Sequence, residues 1–94
     1  MDETRIGRIV FRAWRRGFRE ADLILGPFTD LHVRSFTPAE LDTYEALLAE
    51  DDHDIFAWIA GKSPPPARFD TPILDMLKEF QRALPVASGD ISGS

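Results

Sequence analysis

The sequence predicts an all-α protein, a small bundle of about five short helices. Apolar residues recur at spacings of three and four along most of the 94-residue chain, which is typical of helices with one buried face. Strict alternation of apolar and polar residues never persists over the length of a strand. Short segments rich in glycine or proline divide the periodic stretches, so the helices are predicted to be short and to form one bundle.

The first two predicted helices flank an arginine-rich junction. The first runs from about Thr4 to Trp14, and Gly17 then breaks the pattern. The second starts near Arg19, and Pro27, which has no N–H to donate, is expected to kink or interrupt it. The apolar residues assigned to these two helices are Ile6, Ile9, Val10, Ala13 and Trp14, followed by Leu23, Leu25, Phe28, Leu31 and Phe36.

Capping signals mark the starts of the three later helices. Thr37-Pro38-Ala39-Glu40 predicts a capping box at the start of the third helix. Asp51 or Asp52 is expected to cap the fourth helix, which Gly61 ends. The sequence Asp70-Thr71-Pro72 begins the fifth. The apolar stripes are Leu41, Tyr44, Leu47 and Leu48; Ile55, Phe56, Trp58 and Ile59; and Ile73, Leu74, Leu77, Phe80 and Leu84.

These elements predict a single helical domain over residues 1–84. The three prolines at 64–66 predict a stiff, extended connection before the last helix. The tail over residues 85–94 offers little apolar surface to bury and is predicted to be disordered. Trp14 and Trp58 are both expected to pack in the core, because large aromatic residues supply much of the buried surface of a small domain.

Composition argues against most catalytic classes. The chain has no cysteine, which excludes disulfides, thiolate metal sites and cysteine nucleophiles. Its two histidines, His32 and His53, lack metal-ligand spacing, and no phosphate loop or nucleophile elbow is present. No apolar run is long enough to cross a bilayer, and the N-terminal residues do not form a secretory signal. We therefore predict no enzyme activity, no catalytic residues, no metal site and no membrane insertion.

Charge is distributed unevenly along the chain. The net charge is −5, yet six of the eleven basic residues lie within the first 19 positions, and seven of the sixteen acidic residues lie between Glu40 and Asp54. The acidic run at 50–54 fits helix capping better than a divalent-metal site, since it lacks the glycine turn of a calcium loop. The arginine-rich first helix leaves open an alternative function, a small helical nucleic-acid-binding or regulatory protein.

The junction Arg15-Arg16-Gly17-Phe18-Arg19-Glu20 is the most unusual stretch of the sequence. Arginine side chains present planar forks that suit carboxylate or phosphate. Gly17 can adopt a positive φ or allow close approach of a partner backbone. Glu20 lies four residues after Arg16, a spacing at which a helix would pair them. The alternative is an ordinary glycine at a helix end with a solvated charged surface, and Phe18 fits the core and an interface equally well.

The residues Arg16-Gly17-Phe18-Arg19-Glu20 match the Arg-Gly-x-x-Glu signature of the succinate dehydrogenase assembly factor 2 family, known in bacteria as the FAD assembly factor SdhE. A later block, Leu47 to Trp58, resembles the family's second motif, with paired aspartates and a terminal aromatic-x-Trp. The resemblance implies a five-helix bundle that binds the flavoprotein subunit of succinate dehydrogenase, and in some bacteria that of fumarate reductase. It also implies that the protein promotes covalent attachment of FAD to a histidine of that partner.

The resemblance further implies which residues act. Arg16, Gly17 and Glu20, with Phe18 and Arg19 beside them, are expected to contact the partner. FAD is expected to be carried by the partner, with no cofactor bound tightly by this chain, and no nucleic-acid partner is expected. Asp51, Asp52 and Trp58 are assigned mainly to the fold. A bacterial protein of this family would be cytoplasmic, and a eukaryotic one would lie in the mitochondrial matrix.

Overall fold

A computed structural model describes residues 3–84 of the chain. Within this range the chain forms five α-helices and no strand: α1 (Glu3–Ala13), α2 (Arg19–His32), α3 (Pro38–Leu48), α4 (Asp52–Ala60) and α5 (Pro72–Ala83). Short 3-10 turns at Val33–Ser35 and Ala67–Phe69 precede α3 and α5. The predicted all-α fold of five short helices is confirmed. The tail predicted to be disordered, residues 85–94, lies outside the described residues.

The helix ends follow the chemistry of their capping residues. Thr37 Oγ1 accepts a hydrogen bond from the Glu40 amide at 3.1 Å, and the Glu40 carboxylate accepts one from the Thr37 amide at 2.8 Å. Asp51 caps α4 by accepting from the amide of His53 at 3.0 Å. Gly61 ends α4 in the left-handed conformation, with φ +77°. The predicted capping box, the aspartate cap and the glycine stop are therefore confirmed.

The core forms around α2, which packs against α1, α4 and α5. Trp58 is buried as expected and stacks on Phe69, with ring centroids 5.6 Å apart. Tyr44 and Thr29 are the polar side chains in this core; their hydroxyls lie 2.6 Å apart, and Thr29 donates to the Leu25 carbonyl. Burial raises the pKa of the Tyr44 phenol. The hydrogen bonds offset the cost of burying these hydroxyls.

Pro27 was expected to kink or interrupt the second helix, and the interruption does not occur. One helix, α2, runs from Arg19 to His32 with Pro27 inside it. The residues on either side of Pro27, from Leu25 to Thr29, are otherwise buried. Their packing outweighs the helix hydrogen bond that proline cannot make, since burial of large apolar side chains contributes about 1.5–3 kcal/mol each.

Two leucines and one tryptophan assigned to apolar faces are exposed instead. Leu23 is 51% exposed and Leu31 is 69% exposed, because both lie on the outer face of α2. Trp14 is 40% exposed. Its ring lies against Gly26, and its indole N–H donates to the Asp30 carboxylate at 3.2 Å. Trp14 therefore covers the outside of α2 rather than filling the core.

The two helical glycines give a matched test of this packing. A Cβ on Gly26 would lie 2.4 Å from Cδ2 of Trp14, so we expect Gly26→Ala to lower the free energy of unfolding by about 1–3 kcal/mol. A Cβ on Gly7 would meet no atom within 4 Å. Gly7→Ala should therefore raise the free energy of unfolding by about 0.5–1 kcal/mol, through helix propensity alone. Urea unfolding followed by circular dichroism measures both, and stabilisation by Gly26→Ala would contradict the observed packing of Trp14.

Candidate partner-binding site

The predicted contact residues lie where the chain leaves α1 and enters α2. The α1 helix ends in a turn in which the Arg15 amide donates to the Arg12 carbonyl at 3.3 Å. The Arg16 amide then donates to the Asp22 carboxylate at 2.7 Å. Phe18 is extended, with φ −146° and ψ 151°, and α2 starts at the next residue. We call residues 15–18 the motif loop.

Arg16 is held inside the molecule. Its side chain is only 9% exposed, and its Nε and Nη2 lie 2.8 and 2.7 Å from Oδ1 of Asp52. The guanidinium also donates to the Glu50 carbonyl at 3.3 Å and, more weakly, to the Arg12 carbonyl at 3.5 Å. Arg16 thus joins the end of α1 to the start of α4. Charge-assisted hydrogen bonds of this kind are about twice as strong as neutral ones.

The pairing of Arg16 with Glu20 considered from the sequence does not occur in the structure. That pairing needs both residues on one continuous helix. The chain between them is not helical, because Gly17 has φ +104° and Phe18 is extended. Asp52, which is 36 residues away in sequence, takes the place of Glu20.

Gly17 is required by the conformation of the motif loop. Its φ of +104° is disfavoured for any residue with a side chain. A Cβ there would also lie 3.1 Å from Oδ2 of Asp52, the aspartate that holds Arg16. The expected positive φ is therefore confirmed, and the glycine, which is exposed, leaves its backbone open to an approaching molecule.

Phe18 packs on α4 at the edge of the core. It is half-buried, stacks on His53 with ring centroids 4.7 Å apart and rings 9° from parallel, and meets Phe56 edge-on at 5.6 Å. Arg19 and Glu20 follow on the first turn of α2 and are exposed. Within residues 3–84 neither side chain forms a hydrogen bond or an ion pair. The structure thus brings the five predicted residues together but gives them different surroundings.

Two residues that shape the motif loop carry no independent signal in the sequence. Asp22 accepts the Arg16 amide, and Asp52 accepts the Arg16 guanidinium. Asp52 was assigned to the fold, which agrees with its position, but its partner was not predicted. Asp22 was not singled out from the sequence. Its hydrogen bond with the Arg16 amide spans six residues and depends on the shape of the turn between them, which residue spacing alone does not determine.

The acidic middle of the chain neutralises part of the basic first helix. Arg5 forms ion pairs with Asp42 and with Glu45, the latter at 2.7 Å, and Asp52 pairs with Arg16.

No group of three or more metal-ligating side chains occurs within residues 3–84. No helix in that range has the length and apolar character needed to cross a membrane. At and just after the motif loop, the charged side chains of Arg15, Arg19 and Glu20 are exposed.

The fold and this surface define a class of protein. It is a small helical protein with a charged junction between its first two helices, where a glycine has a positive φ. Comparison with known proteins gives the family. A family model described as "Flavinator of succinate dehydrogenase" matches residues 7–81. The chain belongs to the succinate dehydrogenase assembly factor 2 family.

Curated relatives agree with this assignment. "Succinate dehydrogenase assembly factor 2-B, mitochondrial" of Drosophila persimilis is 38% identical over 79 residues, which cover 82% of this chain and 50% of that protein. "Succinate dehydrogenase assembly factor 2, mitochondrial" of Candida glabrata is 42% identical over 77 residues, covering 78% and 50%. The Dictyostelium discoideum protein of the same name is 35% identical over 71 residues, covering 76% and 50%. The chain spans about half the length of these relatives.

Gly17 and Gly61, which both have positive φ, provide a matched test of the motif loop. Gly17→Ala should lower the free energy of unfolding by about 1–3 kcal/mol through backbone strain, and crowding against Asp52 should add to this loss. At Gly61 a Cβ would meet no atom within 4 Å, so Gly61→Ala should cost only about 1 kcal/mol. Urea unfolding of both variants measures the difference. A Gly17→Ala protein as stable as the wild type would show that the fold does not need this glycine.

Proposed function

We propose that this chain is a non-catalytic assembly factor that binds the flavoprotein subunit of succinate dehydrogenase and promotes covalent attachment of FAD to it. The observation that carries the proposal is the motif loop in a chain of this family. In this loop Arg16 is held by Asp52 and Gly17 is exposed, and Arg19 and Glu20 are exposed on the first turn of α2 that follows. The corresponding subunit of fumarate reductase is a second client where a bacterial source contains that enzyme.

The chemistry of flavin attachment belongs to the flavin and to the client protein. A helper accelerates it by binding most tightly the client conformation in which the histidine and the flavin are aligned. Such alignment removes several kcal/mol from an activation barrier. On this proposal the chain supplies binding energy through its surface, and FAD stays with the client rather than binding tightly to the helper.

Exposed groups in and next to the motif loop suit this task. Arg19 presents a planar fork of donors, and Glu20 presents two acceptor oxygens one residue later. Because neither has a hydrogen-bond partner within residues 3–84, both are available to a client without breaking an internal bond. Gly17 lets the client backbone come close at this point.

The same proposal places the protein where its client is assembled. That compartment is the mitochondrial matrix in a eukaryote, in keeping with the mitochondrial labels of the relatives, and the cytoplasm in a bacterium. The alternative of a nucleic-acid-binding protein has less support, because two of the six N-terminal arginines, Arg5 and Arg16, are taken up by internal ion pairs.

Glu20 gives the sharpest test, since it makes no internal hydrogen bond. Covalent flavin survives denaturation, so in-gel fluorescence of the flavoprotein subunit reports attachment directly. We expect the band to be lost in cells without this gene and to return with the wild-type gene. Glu20→Gln should weaken client binding about tenfold or more, the effect of losing a charged hydrogen bond, and should leave a weaker band.

Asp75→Asn is the matched control, because Asp75 is also an exposed carboxylate in the first turn of a helix. It should restore the band fully. The free energy of unfolding of each variant should lie within about 0.5 kcal/mol of the wild-type value, as is usual for surface substitutions. An unchanged band in cells without the gene would overturn the proposed function. Full restoration by Glu20→Gln would remove Glu20 from the contact surface.

A further inference from the structure

The first helix carries more positive charge than the fold uses. Residues 4–19 contain six arginines and no acidic residue. Arg5 and Arg16 are paired internally with carboxylates of α3 and α4. Within residues 3–84 the remaining four, Arg8, Arg12, Arg15 and Arg19, form no ion pair. Every arginine after position 19 does form one, namely Arg34 with Glu3, Arg68 with Glu50 and Arg82 with Glu79.

Three of these unpaired arginines share one side of the molecule with an exposed aromatic ring. Positions 8, 11, 12 and 15 follow spacings of three and four, so they lie on the same face of α1 and its final turn. All four residues are exposed, and Phe11 is 59% exposed. The guanidinium of Arg15 lies over the Phe11 ring, 4.4 Å from its centroid. We call Arg8, Phe11, Arg12 and Arg15 the α1 basic face.

The α1 basic face has the composition of a contact surface. An open groove of about 530 Å³ runs along this face and is lined by Thr4, Gly7, Arg8, Phe11 and Arg12. Stacking on Phe11 restricts the Arg15 side chain, so its guanidinium loses less conformational entropy when it binds a carboxylate. Like charges side by side on one face repel each other. This repulsion disfavours the cluster in the isolated chain, and carboxylates of a partner would relieve it.

We propose that the α1 basic face binds an acidic protein surface on the flavoprotein client, next to the contacts made at the motif loop. This proposal rests on the proposed function. The face is continuous with that loop, because Arg15 belongs to both and is followed directly by Arg16 and Gly17. Its forks match carboxylates, and Phe11 supplies an apolar centre that a protein surface can cover.

The overall charge of the chain favours a protein over nucleic acid as the occupant. The net charge is −5, which repels a uniformly negative polymer outside this small region. A protein client can instead place a few carboxylates opposite a few arginines. Such complementarity acts chiefly on the rate of association and makes that rate depend on salt.

The test compares two triple variants that remove the same charge. Arg8→Gln/Arg12→Gln/Arg15→Gln neutralises the α1 basic face. Lys62→Gln/Lys78→Gln/Arg82→Gln removes three positive charges elsewhere. Association of each protein with the immobilised, purified flavoprotein subunit is measured by surface plasmon resonance at low and at high salt.

We expect wild-type association to slow steeply as salt rises. The α1 triple variant should associate about tenfold more slowly at low salt and lose most of the salt dependence, as expected when steering charges are removed. The control triple variant should stay within about twofold of the wild type. Urea unfolding should show both variants folded, and the single variants Arg8→Gln and Arg12→Gln should each give part of the loss.

The outcomes separate this inference from the proposed function. If the wild type binds the client and the two triple variants behave alike, the α1 basic face is not a contact surface, whereas the proposed function stands. If the wild type does not bind the client, both fail. The same proteins are passed over a DNA duplex at physiological salt. If the wild type binds the DNA as tightly as it binds the client, and the α1 triple variant loses that binding, the proposal that a protein occupies this face is wrong.

Discussion

The ion pair between Arg16 and Asp52 is the interaction on which the rest of the candidate site depends. It joins the end of α1 to the first residue of α4, across 36 residues of sequence, and it lies mostly out of solvent. Directly after Arg16 the chain turns at Gly17 with φ +104°, a conformation that glycine adopts readily. Phe18 then reaches His53 and Phe56 on α4, and α2 starts with Arg19 and Glu20 pointing away from the molecule.

This arrangement divides the motif into two parts. Arg16 and Gly17 define the shape of the junction, and Phe18 packs it against α4. Arg19 and Glu20 are exposed charged groups, which we propose contact the client. The division also explains the acidic segment after α3, in which Asp51 caps α4, Asp52 holds Arg16 and His53 supports Phe18. The two sequence blocks that resemble the family signature therefore meet in space and form one structural unit.

Local chemistry made much of the fold predictable. Thr37 with Glu40, Asp51 and Gly61 act on backbone groups within a few residues, so their roles could be inferred from spacing alone. An interruption of α2 at Pro27 does not occur, because the burial of α2 against three other helices outweighs one missing hydrogen bond. Leu23 and Leu31 were wrongly assigned to a buried face, because apolar character alone does not reveal which side of a helix meets its neighbours. The site residues are adjacent in sequence, so they could be grouped without the structure. The pairing of Arg16 with Asp52 and of Trp14 with Asp30 depends on how the helices pack, so it could not be predicted.

A double-mutant cycle on Arg16 and Asp52 tests the central claim most directly. The free energy of unfolding is measured by urea denaturation for the wild type, Arg16→Ala, Asp52→Ala and the double variant. If the pair holds the junction together, each single variant should be clearly destabilised. The double variant should lose less than their sum, by a coupling free energy of about 1–3 kcal/mol. A coupling free energy near zero would contradict the account, because Arg16 would then contribute independently of Asp52 and the motif loop would be shaped by other contacts.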